Sequence, residues 1–101
     1  MSSEQYKAYV DERGRMVILQ VLTAEVNGHL REELLQKALD IYLIKRSIEW
    51  VRTQLIRLEE LGAVTITEDE GKMIAGITRA GRDHMERRSR LAGVAAPDDK
   101  V

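Results

Sequence analysis

Residues 47–81 read SIEWVRTQLIRLEELGAVTITEDEGKMIAGITRAG. Ile48, Val51, Leu55, Leu58 and Leu61 recur at helical spacing until Gly62, which predicts a helix over 47–61 with one apolar face. Ser47 stands where a hydroxyl can accept an orphan amide bond at the helix start, and Gly62 can take the left-handed conformation that ends it. Val64 and Ile66 then alternate with Thr65 and Thr67, as in a half-buried strand. Glu68-Asp69-Glu70-Gly71 is a turn, and Met73, Ala75 and Ile77 alternate in a returning strand. Thr78 can cap a last helix over 79–91, in which Met85 and Leu91 are apolar.

Upstream, residues 4–26 carry a helical apolar pattern, strongest from Met16 to Val26, with Val17, Ile18, Val21 and Leu22 making a broad buried face. Tyr6, Tyr9 and Val10 extend the pattern, but Gly14 weakens a helix by about 1 kcal/mol relative to Ala. Residues 1–12 are therefore read as a helix extension or as a separate arm. Asn27-Gly28 ends this helix. A second helix is expected from Leu30 to about Ile41, with Leu34, Leu35, Ala38 and Leu39 as its apolar stripe and Arg31, Glu32, Gln36 and Lys37 facing water. Tyr42 to Arg46 holds no Gly or Pro, so the turn there is inferred from the helix that follows. Residues 93–101 contain Pro97 and two Asp and read as a flexible tail, leaving 13–92 as the folded domain. The expected fold class is mainly α with a small β-hairpin (α+β): a three-helix core, a two-stranded wing and a C-terminal helix.

A chain of 101 residues suits one domain with one modest core. It has no Cys, which excludes disulfides, thiolate metal sites and Cys nucleophiles and agrees with a reducing, cytoplasmic setting. No apolar run approaches the roughly 18 residues of a membrane-spanning helix, so no membrane partner is expected. Residues 1–15 lack the apolar core of a signal peptide. The net charge of −1 supplies no global attraction for nucleic acid, so any such attraction must come from a local patch.

The order helix, helix, helix, hairpin, helix resembles the winged helix-turn-helix superfamily, nearest in kind to its ArsR-like and MarR-like groups. Residues 15–22, RMVILQVL, are similar to the first-helix pattern R-x-x-I-L-x-x-L. Residues 51–64, VRTQLIRLEELGAV, are similar to V-x-x-x-L-x-x-L-x-x-x-G-x-V, and Ile77-Thr78-Arg79-Ala80-Gly81 matches the L-T-x-x-G start of the last helix. Each motif alone is weak; their joint order and spacing over residues 13–90 carry the resemblance. A domain this small also looks like the ArsR-like winged-helix proteins encoded by transposable, Mu-like phages. The resemblance implies a DNA-binding transcriptional regulator acting as a homodimer, with 47–61 as the helix that reads duplex DNA. It does not bring metal sensing with it, because the chain offers only His29 and His84 and no thiolate. No metal and no cofactor is expected.

With Val51, Leu55 and Leu58 turned inward, the outer face of this helix centres on Glu49, Thr53 and Glu60, flanked by Arg46, Trp50 and Arg57 on one side and Arg52 and Ile56 on the other. Segment 45–57 has four cations, Lys45, Arg46, Arg52 and Arg57, against Glu49, a local net of +3. Lys45, Arg46, Ser47, Arg52 and Lys72 are the candidates for phosphate contact, and Trp50, Thr53, Gln54 and Arg57 for the groove. Glu49 would repel phosphates. So would the hairpin tip Glu68-Asp69-Glu70, unless these residues only solubilise an edge. In the last helix Arg79, Arg82, Arg87, Arg88 and Arg90 outnumber Asp83 and Glu86, five to two. That helix is either solvated, with pairs such as Asp83–Arg87 and Glu86–Arg90, or a contact for DNA or an acidic partner. Trp50 is either a hot-spot aromatic or packs on Tyr42 or Leu43. Tyr6 and Tyr9 suit helix packing or a dimer contact, and the terminal helices, 4–22 and 79–91, are the expected dimer elements.

Enzymatic activity is not expected. Neither His lies in a nucleophile-activating or metal-binding constellation, adjacent carboxylates such as Glu32-Glu33 diverge on a helix, and there is no glycine-rich phosphate loop. Against DNA binding stands a second function class, a winged-helix protein-interaction module. The acidic tip, Glu49 and the near-neutral charge favour it, with Trp50 and Ile56 marking the contact surface.

Overall fold

The computed structural model describes residues 2–97. Along them run α1 (Ser3–Ala24), β1 (His29–Arg31), α2 (Glu32–Ile41), α3 (Ile48–Glu60), β2 (Val64–Asp69), β3 (Lys72–Ile77) and α4 (Arg79–Met85). Met16, Ile18, Leu19 and Leu22 of α1 meet Leu35 and Leu39 of α2 and Val51, Leu55 and Leu58 of α3 in a core closed to solvent. Ala63, Val64 and Ala75 carry that core into the hairpin. The result is the expected helical core with a small β element and an extra helix.

The first helix is continuous through Gly14. Ser2 and Gln5 close a reciprocal cap at its start, and a Cβ at Gly14 would overlap the Trp50 indole. The glycine that weakens the helix locally thus admits a ring from α3 against its backbone. The helix ends at Ala24, earlier than Asn27-Gly28 suggested, and Gly28 takes φ +72° in the turn that follows.

The sheet has three strands, not two. Short β1 adds to β3 antiparallel, pairing His29 with Gly76, Leu30 with Ala75 and Arg31 with Ile74, so β3 is central in the order β1-β3-β2. Residues 29–31, of which Leu30 was expected to start α2, are drawn into the sheet because β3 offers an open row of backbone groups. On α2 only part of the expected stripe is buried: Leu35 and Leu39 are, whereas Leu34 is about half exposed. The α2–α3 turn is pinned by buried Ile44, whose amide donates to the Leu39 carbonyl, while Leu43 beside it takes φ +65°.

Ser47 caps α3 by accepting from the Trp50 amide. Thr78 caps α4 by accepting from the Gly81 amide, and its hydroxyl also donates to the Gly62 carbonyl at 2.6 Å. A Cβ at Gly81 would overlap the Ala63 carbonyl oxygen, a fixed backbone atom, so the glycine of the I-T-x-x-G motif permits close packing of α4 on the α3–β2 corner.

Helix α4 stops at Met85 instead of reaching 91. Beyond it, residues 91–97 run back as a strap over α1. Val94 is buried, the Ala95 amide donates to the Glu12 carbonyl, and Arg15 Nε donates to the Gly93 carbonyl at 2.8 Å. Buried His84 holds both ends of the strap: the Leu91 amide donates to Nδ1 at 3.0 Å, which leaves Nε2–H to donate to the Ala95 carbonyl at 2.9 Å. Of the stretch read as a tail, 93–97 is therefore packed, and 98–101 lies outside the described residues.

Candidate nucleic-acid interface

Helix α3 turns Val51, Leu55 and Leu58 to the core and leaves Glu49, Thr53, Ile56, Arg57 and Glu60 exposed. The Thr53 hydroxyl donates back to the Glu49 carbonyl at 3.0 Å, and Arg57 lies 3.5 Å from Glu60 in an exposed pair. Such pairs are worth little and yield readily to another anion. At the N-terminal end of α3, Lys45, Arg46 and Ser47 are exposed, with the Arg46 guanidinium 6.0 Å from the centre of the Trp50 ring system. Lys45 and Arg46 before α3, and Thr53 and Arg57 on it, are thus all exposed to solvent.

Three candidates are engaged elsewhere. Gln54 is 3% exposed and its Oε1 accepts from Arg15 at 2.7 Å, so it points into the molecule and not toward a groove. Trp50 is half-buried against Gly14 and donates Nε1–H to Asp11 at 3.0 Å, so its ring packs on α1. Arg52 places Nε and Nη2 2.8 and 2.7 Å from one carboxylate oxygen of Glu32.

Glu32 was read as water-facing, yet its side chain is closed to solvent. Its second oxygen accepts from the Met73 amide at 2.6 Å, so one carboxylate joins α2, α3 and β3. Burial pushes this carboxyl up, but the Arg52 guanidinium and the Met73 amide outweigh it and hold the group below the ordinary carboxylate range. Its bond to Glu32 in turn holds the Arg52 guanidinium above its usual value. The signal was present in the sequence: Glu32, Leu35 and Leu39 lie at i, i+3 and i+7 on one helix face. Arg15 was missed as well. Burial lowers its guanidinium, against the opposing pull of Asp11, and it bridges Gln54 of α3 to Gly93 of the strap.

The wing tip is less acidic than its sequence. Asp69 accepts from Arg31 at 2.8 Å, and Arg31 also reaches Glu33 at 3.0 Å, so β1 supplies a cation to the hairpin. Glu68, Glu70 and Lys72 are exposed beside it. Among the described residues no three His, Cys, Asp or Glu side chains group as a metal site requires, and no helix is long and apolar enough to cross a membrane.

No protein-family model and no solved structure matches the chain. Two relatives do. It is 37% identical over 86 residues to gp26 of Escherichia phage Mu, an uncharacterized protein, covering 85% of this chain and 88% of gp26. It is 36% identical over 75 residues to an uncharacterized protein of Haemophilus influenzae strain Rd, covering 73% of this chain and 72% of that one.

Proposed function

This chain belongs to the family of Escherichia phage Mu gp26, and we propose that it is a winged-helix transcriptional regulator, of ArsR-like or MarR-like type, that reads duplex DNA with α3 as a cytoplasmic homodimer. One observation carries this reading: α3 exposes Thr53 and Arg57, and the turn that leads into it exposes Lys45 and Arg46, on the helix that a helix-turn-helix presents to a major groove. The Arg31–Asp69 pair supports it by neutralising one of the three carboxylates at the wing tip. Lys45, Arg46, Ser47 and Lys72 position the backbone, Thr53 and Arg57 approach the bases, and Gln54 and Arg52 act from behind by holding α3 in place. One recognition helix reads a short half-site, so a two-fold protein on a palindromic operator completes the proposal.

The test is fluorescence anisotropy with labelled duplexes from the DNA flanking the gene. Affinity falls steeply between about 50 and 200 mM salt, and Arg57→Ala lowers both affinity and the salt slope. Absence of duplex binding at low salt, by protein shown to be folded, refutes the proposal. A second reading, a protein-interaction module that does not bind DNA, is favoured by half-exposed Ile56 on the same face as Glu49 and Glu60. It predicts no duplex affinity at any salt.

A further inference from the structure

We propose that His84 is a proton-operated latch on the strap 91–97. The strap is held while the imidazole is neutral and let go when the ring gains a second proton, and α3 feels the release through Arg15. This holds whether or not the protein reads DNA.

His84 is 2% exposed, yet both contacts of its ring nitrogens are with the backbone. The Leu91 amide donates to Nδ1 at 3.0 Å, and Nε2–H donates to the Ala95 carbonyl at 2.9 Å. A backbone amide only donates and a backbone carbonyl only accepts, so the two partners together fix one neutral tautomer. Imidazolium carries a proton on each nitrogen. Its Nδ1–H then meets the Leu91 N–H, donor against donor, and a part-buried amide is left without its acceptor. The hold on Leu91 is therefore complete with the neutral ring and is lost as pH falls and the ring charges.

The strap forms neither helix nor strand, so no regular ladder keeps it in place. It is also held by Val94 in the core, by the Glu12 carbonyl, by Arg15 Nε and by Arg87, which donates to the Pro97 carbonyl. Among the described residues, the charged groups around His84 come from two sides. Asp83 is its neighbour in α4, and Arg87 and Arg90 line a cavity of about 300 Å³ with it. From α1, Glu12 and Arg15 meet the strap at Ala95 and Gly93. Carboxylates and guanidiniums keep their charge between about pH 8 and 5, where imidazole changes its own. The chain has one other histidine, His29, which is exposed on β1.

Arg15 carries the release to α3. Its Nε donates to the Gly93 carbonyl at 2.8 Å while Nη1 donates to Gln54 Oε1 at 2.7 Å. Loss of Gly93 leaves this part-buried guanidinium one acceptor short, and the nearby charge of Asp11 attracts it. Gln54, itself 3% exposed, then exchanges a fixed partner for a moving one.

The test is a nuclear magnetic resonance titration of the whole chain from about pH 8 to 5. At the upper end the His84 ring is expected to show a bare Nδ1 and a protonated Nε2. As the ring takes its second proton, the Leu91, Gly93 and Ala95 amide signals move with the same midpoint. Their heteronuclear NOE values fall to those of mobile backbone, the Gln54 side-chain amide follows, and helical circular dichroism stays unchanged. His84→Gln abolishes this response and leaves only that of His29. A ring that charges while the strap amides stay still overturns the latch, and so does a ring that remains neutral down to about pH 5; both are read on wild type and need no variant. A strap response that persists in His84→Gln also overturns it. A Gln54 side chain that ignores the release overturns the transmission to α3.

Discussion

Replacing Glu32 tests whether a buried carboxylate fastens α3 to β3 of the hairpin. Glu32→Ala removes the acceptor of the Met73 amide and the partner of Arg52 in one step. An orphaned, partly buried amide costs about 1–3 kcal/mol. Each lost buried methylene adds about 0.8 kcal/mol. Arg52 is about one-third exposed and can turn to water, so leaving it unpaired adds little. The expected total is about 3 kcal/mol, a large share of the roughly 5–15 kcal/mol that holds a domain together. For a domain near 100 residues this lowers Tm by about 10–20 °C. Glu32→Gln keeps an oxygen for Met73 and forfeits only the charge, so it costs about 1–2 kcal/mol. Thermal melts followed by circular dichroism distinguish the two. A shift below about 3 °C for Glu32→Ala, or equal shifts for both variants, refutes a structural role for this carboxylate.

Other consequences follow from the same contacts. Because the folded Glu32 carboxyl lies below its unfolded value, its stabilisation is complete above the ordinary carboxylate range near about 4.3 and is lost as pH falls through the folded value. The Tm gap between wild type and Glu32→Gln should therefore narrow between neutral pH and about pH 3, and a gap independent of pH contradicts it. Gly81→Ala drives a methyl group into the Ala63 carbonyl and is expected to cost about 1–3 kcal/mol in a denaturant melt; a neutral substitution would mean that α4 is free to move away. Trp50→Phe keeps an aromatic ring against Gly14 but loses the bond to Asp11, with an expected loss of about 1 kcal/mol by the same melt. His84→Ala releases both ends of the strap, so trypsin should cut after Arg90 faster than in wild type while the core stays folded; unchanged cleavage would show that Val94 and Arg15 suffice.

Much of the fold is legible because it is written in local periodicity. The inward face of α3, its Ser47 cap, the hairpin and the Thr78 cap each follow from neighbouring residues. What was illegible depends on residues distant in the chain. Three-residue β1 is too short to carry a pattern of its own and exists because β3 has an open edge. Trp50 reaches α1 because Gly14, 36 positions away, leaves room for its ring. The strap looked like a tail because its anchors, Glu12, Arg15 and His84, lie elsewhere in the sequence.

The candidate face divides in the same way. Sequence by itself placed Glu49, Thr53 and Glu60 at the centre of the outer face of α3 and Arg57 on its flank, since a helical period assigns each residue a direction. It also put Arg52 and Gln54 among the contact residues, and these lie at the margin between core and solvent. There the outcome depends on which partner the tertiary fold brings within reach. Buried Glu32 claims Arg52 and Arg15 claims Gln54, because a charge or amide closed off from water must find a partner. Local pattern determined which way the helix faces; only the packing of α1 and α2 against it decided which of its polar side chains remain available to a ligand.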